Sequence, residues 1–163
     1  NALTYAKNHK KFFEVYNTET RPLFQGRKTL SELTNAGIKV TMFIDSAMLL
    51  AISNKKGKKV NKIIIGADAL TKKGIINKVG SGILAELAKK YKIPFYVVAD
   101  SWKYSNKKIP IENRSLNEVW DKAPKKFKIK NPAFEFVNKK YITKIITELG
   151  ILNYDDFLRK VNN

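Results

Sequence analysis

The chain has 163 residues, 44% hydrophobic and 11% aromatic, enough to bury one core and to expect a single domain over 1–163. No stretch reaches the roughly 18 uninterrupted apolar residues of a membrane span, no basic-then-apolar leader marks secretion, and zero cysteines exclude a disulfide framework and thiolate chemistry; the cytoplasm is the expected compartment. A surplus of 32 Lys and Arg over 14 Asp and Glu leaves a net charge of +18, which admits acidic partners without naming one.

In chain order, Leu3-Thr4 reads as the end of a strand with little before it, and no initiator Met precedes it, as expected of a fragment. Phe12-Phe13-Glu14-Val15-Tyr16 is a short β-run, and residues 27–36 set Leu30 and Leu33 at helical spacing before Gly37, a suitable stop. Residues 38–44 form a second β-rich run, 46–53 a short apolar helix, and Lys62-Ile63-Ile64-Ile65-Gly66 a strand apolar on both faces. Residues 80–90 place Ile83, Leu84, Leu87 and Ala88 on one helical face, and Pro94-Phe95-Tyr96-Val97-Val98-Ala99 follows as a fourth strand. This alternation predicts an α/β domain of Rossmann-like type with a doubly wound, mostly parallel sheet.

A polar, lysine-rich connection spans 101–130, with a short helix expected at 116–120. Phe134 and Phe136 alternate as on an edge strand. Residues 139–149 set Ile142, Ile145, Ile146 and Leu149 on one helical face before Gly150, and 154–161 read as a last amphipathic turn or two with acids early and bases late. Lysines gather at Lys55, Lys56, Lys58 and Lys59, at Lys107 and Lys108, and over 122–130, beside turn-type residues; solvated loop charge is the plain reading, a nucleic-acid or acidic-protein surface the alternative.

In open parallel sheets, ligands bind beyond the carboxyl ends of the strands. Three such ends here carry polar residues: Thr18 to Pro22 with Gln25-Gly26, Asp45-Ser46, and Gly66-Ala67-Asp68 with Asn77-Lys78-Val79-Gly80-Ser81. Gly80 and Ser81 precede a helix whose free N–H groups favour an anion, Lys78 supplies a charge and Asn77 can orient a hydroxyl; the alternative is ordinary helix capping. Asp68, leaving an apolar strand for a cleft, is a candidate proton donor or acceptor if burial shelters it, and otherwise a capping aspartate. His9 is the only histidine and sits in a lysine-rich turn, so no metal site is expected; neither a Walker loop nor a GxGxxG is present, and no cofactor is expected.

Taken together, Thr20-Arg21-Pro22 with Gln25-Gly26, Asp45-Ser46-Ala47, Gly66-Ala67-Asp68-Ala69, Asn77-Lys78-Val79-Gly80-Ser81, Ile93-Pro94-Phe95-Tyr96-Val97 and Asn131-Pro132-Ala133-Phe134 form an ordered series. It resembles the translation initiation factor 2B alpha/beta/delta family, archaeal members above all, a family that also holds the methylthioribose-1-phosphate and ribose-1,5-bisphosphate isomerases. The resemblance implies the family's C-terminal domain, without counterpart here to its helical N-terminal domain. It further implies that Asp68 matches the isomerases' proton-moving aspartate, and that Arg21, Gln25, Asn77, Lys78 and Lys103 fall in or beside segments that bind the sugar phosphate.

In the same comparison Leu3-Thr4-Tyr5-Ala6 aligns with the segment bearing the isomerases' cysteine, leaving Ala6 where the thiol should be. Loss of one member of an acid–base pair costs on the order of 10² to 10⁴ in rate, so efficient isomerisation is not expected. The resemblance then implies an initiation factor 2B-like regulatory or interaction subunit that retains sugar-phosphate or nucleotide binding without catalysis. Its implied partners are initiation factor 2 subunits and a second copy of itself, as a homodimer or higher oligomer. The alternatives are a sugar-phosphate aldose–ketose isomerase and, on charge alone, a basic nucleic-acid-binding module.

Overall fold

A computed structural model describes residues 2–53, 59–107 and 109–162; Lys55, Lys56, Lys58 and Lys108 of the lysine clusters lie outside them. The chain begins with a helix, α1 (Ala2–Asn8), and not with a strand end. Strand β1 (Glu14–Thr18), helix α2 (Gln25–Asn35) and strand β2 (Lys39–Phe43) make the first crossover, and β1 and β2 pair in parallel with Glu14 opposite Lys39 and Thr18 opposite Phe43. Leu33 and Ile38 bury that unit, and Gly37 takes the left-handed turn (φ 72°) that ends α2. At the other end of the helix, a Cβ on Gly26 would lie 1.7 Å from the Thr18 carbonyl oxygen, so only glycine lets α2 start this close to β1.

Helix α3 (Met48–Ser53) and strand β3 (Ile63–Gly66) follow, then a hairpin of β4 (Ala69–Thr71) and β5 (Gly74–Lys78), helix α4 (Ser81–Tyr91) and strand β6 (Phe95–Val98). After the long connection come β7 (Phe134–Asn138), β8 (Lys144–Thr147), β9 (Gly150–Leu152) and helix α5 (Tyr154–Val161). The strands form three sheets: β1–β2, a four-stranded sheet in the order β3–β6–β8–β9, and an antiparallel sheet in the order β4–β5–β7. Pairings β3–β6 and β6–β8 are parallel, while β9 runs antiparallel on the edge of β8. The fold is therefore α/β with mainly parallel strands in the two larger crossover units, although β1 and β3 do not pair with each other. Their facing edges bound a groove of about 1160 Å³, also lined by Leu3 and Ala6 of α1.

The segment 139–149 departs from the helix that its apolar spacing suggests. Lys139–Tyr141 is a single 3-10 turn, and Ile145 and Ile146 then enter β8 beside β6. The physical reason is that successive β-branched residues fit a pleated sheet flanked on both sides better than a helix turn. Gly150, expected as a helix stop, instead opens β9 at φ 116° and pairs with Thr147 across a two-residue turn. The connection keeps a 3-10 turn at Leu116–Glu118 where a short helix was expected.

The core joins Phe95, Val97 and Ile145 of the parallel sheet to Leu70 and Ile75 of the hairpin, Val137 of β7, and Phe157 of α5, all at most 2% exposed. Burying each such side chain stabilises the fold by about 1.5–3 kcal/mol before entropy is counted. Among the described residues no helix is long and apolar enough to cross a membrane.

Tyr154, 5% exposed, ties α5 to the hairpin: its hydroxyl donates toward the Gly74 carbonyl oxygen at 2.6 Å, with that of Thr71 at 3.0 Å. Burial pushes this phenol above its ordinary pKa of 10.0. Folding therefore holds a proton that the unfolded chain releases near pH 10, and the stability this gives is present below that pH and lost as pH rises above it. Tyr154→Phe is expected to cost about 1 kcal/mol near neutral pH. Between urea melts at about pH 8 and about pH 11, the parent's advantage over Tyr154→Phe should fall by about 1.4 kcal/mol and so reverse; an advantage independent of pH would refute the assignment.

Candidate functional site

Asp68 leaves the carboxyl end of β3 immediately after the buried Ala67, and its N–H donates to the Ile76 carbonyl oxygen at 2.9 Å. That bond closes the β4–β5 hairpin and brings Asn77, nine positions later, against the aspartate. With its amide nitrogen turned toward the two acceptors there, Asn77 donates to the Gly66 carbonyl at 3.2 Å and to Asp68 Oδ2 at 3.3 Å, and its oxygen meets Ser81 Oγ at 2.8 Å. The opposite orientation would set the amide carbonyl against a carboxylate. Asp68 itself is exposed, so burial does not shelter it; what shapes it is the Asn77 donor. Lys103, on a 3-10 turn after β6, donates from Nζ to the Ala67 carbonyl at 2.9 Å, so it braces the residue before Asp68.

The loop after β1 is held from the second strand end. The Asp45 carboxylate accepts from the N–H groups of Thr20 at 2.9 Å and Arg21 at 2.7 Å. Arg21, expected among the ligand-binding residues, points its guanidinium elsewhere: it donates to the Val119 carbonyl at 2.9 Å and lies 4.9 Å from the centre of the Phe24 ring. It latches the long connection onto this loop. Gln25, the first residue of α2, is exposed on the same side as Asp68 and Lys78.

The anion site expected at the start of α4 is already filled. Glu135 of β7 places Oε1 2.6 Å from the Gly80 nitrogen and 2.9 Å from the Gly82 nitrogen, so a carboxylate of the protein takes the free N–H groups. Ser81 is buried and its hydroxyl lies 2.7 Å from the Lys78 carbonyl. Ser81 therefore does not cap the helix N–H groups with its side chain, and among the described residues no hydrogen bond or ion pair engages the Lys78 ammonium.

Lys78 lines a cavity of about 270 Å³ beyond the strand ends, together with Thr20 and Gln25 from the β1 loop, Asp68 from the hairpin, and Arg114, Ala133 and Phe134 from the connection and the start of β7. Three of the six residues singled out from the sequence, Gln25, Asp68 and Lys78, meet there. Asn77, Lys103 and Arg21 stand behind or beside it. Sequence reasoning missed Arg114, whose Nε and Nη2 donate to the Glu118 carboxylate at 2.8–3.1 Å. The available signal was the i,i+4 spacing of Arg114 and Glu118, obscured because the segment reads as loop. Hydrogen bonds from Arg114 hold the Glu118 carboxyl below its ordinary range against the opposing effect of burial, and Asn131 and the Lys78 charge act in the same direction as Arg114.

Residues 1–154 match the family model described as the initiation factor 2 subunit family. The chain is 38% identical over 158 residues to a ribose 1,5-bisphosphate isomerase of Archaeoglobus fulgidus, covering 90% of this chain and 48% of that protein. It is 42% identical over 154 residues to a methylthioribose-1-phosphate isomerase of Exiguobacterium sibiricum, covering 87% and 43%. Among solved structures, the delta subunit of translation initiation factor eIF-2B from A. fulgidus superposes with a TM-score of 0.88 at 32% identity, covering 98% of this chain and 50% of that one. The chain thus spans about half the length of the relatives it matches. The extent of the family match, together with these relatives, shows that the chain belongs to the initiation factor 2 subunit family.

Proposed function

We propose that this domain binds a sugar phosphate and contributes Asp68 as one proton-moving group of an aldose–ketose isomerase. The observation that carries the reading is the convergence of Gln25, Asp68 and Lys78 on one cavity, with Asn77 donating to the Asp68 carboxylate. Relatives at 38–42% identity named as sugar-phosphate isomerases support it.

Aldose–ketose interconversion requires a group that can take and return a proton beside the sugar carbonyl, within hydrogen-bond reach of the carbon or oxygen concerned. An exposed carboxylate held by an amide donor suits that task, because Asn77 fixes its direction while the second oxygen stays open to a ligand. Lys78 supplies the charge for the phosphate ester, and Gln25 supplies a neutral donor and acceptor for a hydroxyl.

The sequence comparison sets Ala6 where the isomerases carry a thiol. Ala6 lies in α1 and lines the groove between β1 and β3, so it supplies no group beside Asp68. The 163 residues hold no cysteine, so this chain offers Asp68 and no thiol partner for it.

The structural likeness to an eIF-2B delta subunit favours a second reading, a regulatory subunit that binds the same ligand and contacts initiation factor 2. Calorimetric titration with ribose 1,5-bisphosphate at moderate salt is expected to show saturable binding that weakens at least about a hundredfold in an Asn77→Ala, Lys78→Ala double variant, as for loss of one charged bond to the ligand and of the amide that orients Asp68. Equal binding by both proteins would remove the pocket from consideration. Asp68→Asn should leave that affinity within a factor of about three while lowering any isomerisation by on the order of 10² to 10⁴; an unchanged rate would take Asp68 out of the chemistry. For the second reading, immobilised chain should retain purified initiation factor 2 subunits, and failure of the folded chain to do so would count against it.

A further inference from the structure

The cavity holds a cation to which none of the assignments above gives a task. Arg114 enters its wall from the long connection, far in sequence from Asp68 and Lys78, and its side chain is 36% exposed. Its Nε and Nη2 are spent on Glu118, whose carboxylate grips the guanidinium from the side, and among the described residues no hydrogen bond engages Nη1.

The grip is itself supported. The Arg114 N–H donates to the Asn131 carbonyl at 3.1 Å, and Asn131, 5% exposed, donates from its side chain to the Ser115 carbonyl at 2.8 Å and to Glu118 Oε2 at 3.2 Å. Both oxygens of Glu118 are thus engaged, and the arginine is fixed in place before any ligand arrives. Fixing a donor in advance removes an ordering cost from binding. A half-exposed ion pair adds little to stability by itself, so support by a buried asparagine is better explained by what the arginine presents than by what the pair stabilises.

We propose that Arg114 is a second phosphate-binding residue of this cavity, presented by Glu118 and Asn131 so that its remaining N–H edge meets the ligand alongside Lys78. The proposal rests on the sugar-phosphate reading and adds to it the second cation. Glu118 and Asn131 are positioning residues. On the wall Lys78 and Arg114 face Asp68, and Glu118, paired with Arg114 beside the cavity, offsets the remaining positive charge. Recognition then depends on directed donors and not on the net charge of the chain. A planar guanidinium can bond a carboxylate with one edge and a phosphate with another, which the single ammonium of lysine cannot do in the same geometry.

The test titrates the whole chain, Arg114→Lys and Arg114→Gln with ribose 1,5-bisphosphate, with thermal melts of each and the phosphorus NMR signal of the bound ligand. Both variants are expected to bind about ten- to a hundredfold more weakly than the parent, lysine failing to rescue, with the bound phosphorus resonance displaced in Arg114→Lys. Parent-like affinity in Arg114→Lys would show that charge alone matters and would overturn the proposal, as would weaker binding with an unmoved resonance and a lowered melting temperature, the mark of a purely structural pair. If the parent itself binds nothing, the sugar-phosphate reading falls and this proposal with it. If the parent binds and the variants match it, only the role of Arg114 falls.

Discussion

One short return of the chain sets the whole site. Asp68 and Asn77 meet only because β4 and β5 fold back on each other, and the turn between them has little freedom. Thr71 Oγ1 donates to the Gly74 carbonyl at 2.8 Å, the Lys139 nitrogen donates to the Lys73 carbonyl at 2.9 Å, and a Cβ on Gly74 would lie 2.1 Å from the Val137 carbonyl oxygen. Tyr154 closes the arrangement from the other end of the sequence through its hydroxyl on Gly74. The helix that supplies Tyr154 also supplies Phe157 to the core, so the burial that stabilises the domain is coupled to the geometry of the Asp68–Asn77 pair.

The same economy explains why the start of α4 is not left open to an anion. A helix start offers free N–H groups to any anion, and a carboxylate fixed on a neighbouring strand has a large advantage over a ligand that must be ordered from solution. Glu135 stands on β7 directly opposite Asn77 in β5, so strand pairing delivers it to Gly80 and Gly82 without further cost. Gly82 has no room for a side chain beside that carboxylate, since a Cβ there would lie 2.8 Å from Glu135 Oε2. With the terminus satisfied, α4 becomes a fixed support for Ser81 and Asn77. Lys78 and Arg114 are left on the cavity side.

Much of this was legible in the sequence where local preference and tertiary demand agree. The runs 12–16, 38–44, 62–66 and 94–99 are largely β-branched or aromatic and hold strands β1, β2, β3 and β6; 80–90 and 154–161 carry amphipathic spacing with fitting ends and hold helices α4 and α5. The misses fall where the two demands part. Ile142, Ile145, Ile146 and Leu149 satisfy helical spacing, yet the open edge of β6 claims the segment as a strand. The stretch 69–78 carries no strong alternation, and its hairpin is dictated by contacts to β7 and Tyr154, both remote in sequence. Arg114 was invisible for the same reason, because nothing in a lysine-rich loop tells which cation will be turned inward. Lys103 was legible as a residue near the site, but its ammonium serves the Ala67 carbonyl.

Two hollows compete for attention in this fold, and size does not choose between them. The groove of about 1160 Å³ separates the edges of β1 and β3, and its walls combine strand edges, apolar side chains and lysines, with its carboxylate Glu14 paired to Lys39 at 3.1 Å. The cavity of about 270 Å³ is a quarter of that volume, yet it collects a carboxylate held by an amide, an ammonium, a pre-set guanidinium and a neutral amide from three separate segments. Convergence from remote segments is costly to maintain, since each member must be fixed by bonds that would otherwise be made to water. A fold that fixes Asp68 through Asn77, Arg114 through Glu118 and the β1 loop through Asp45 spends that ordering in one place. Both readings of the family's work, isomerase and ligand-sensing subunit, need the same pocket for that reason, and they differ only in whether a second proton-moving group is brought to Asp68.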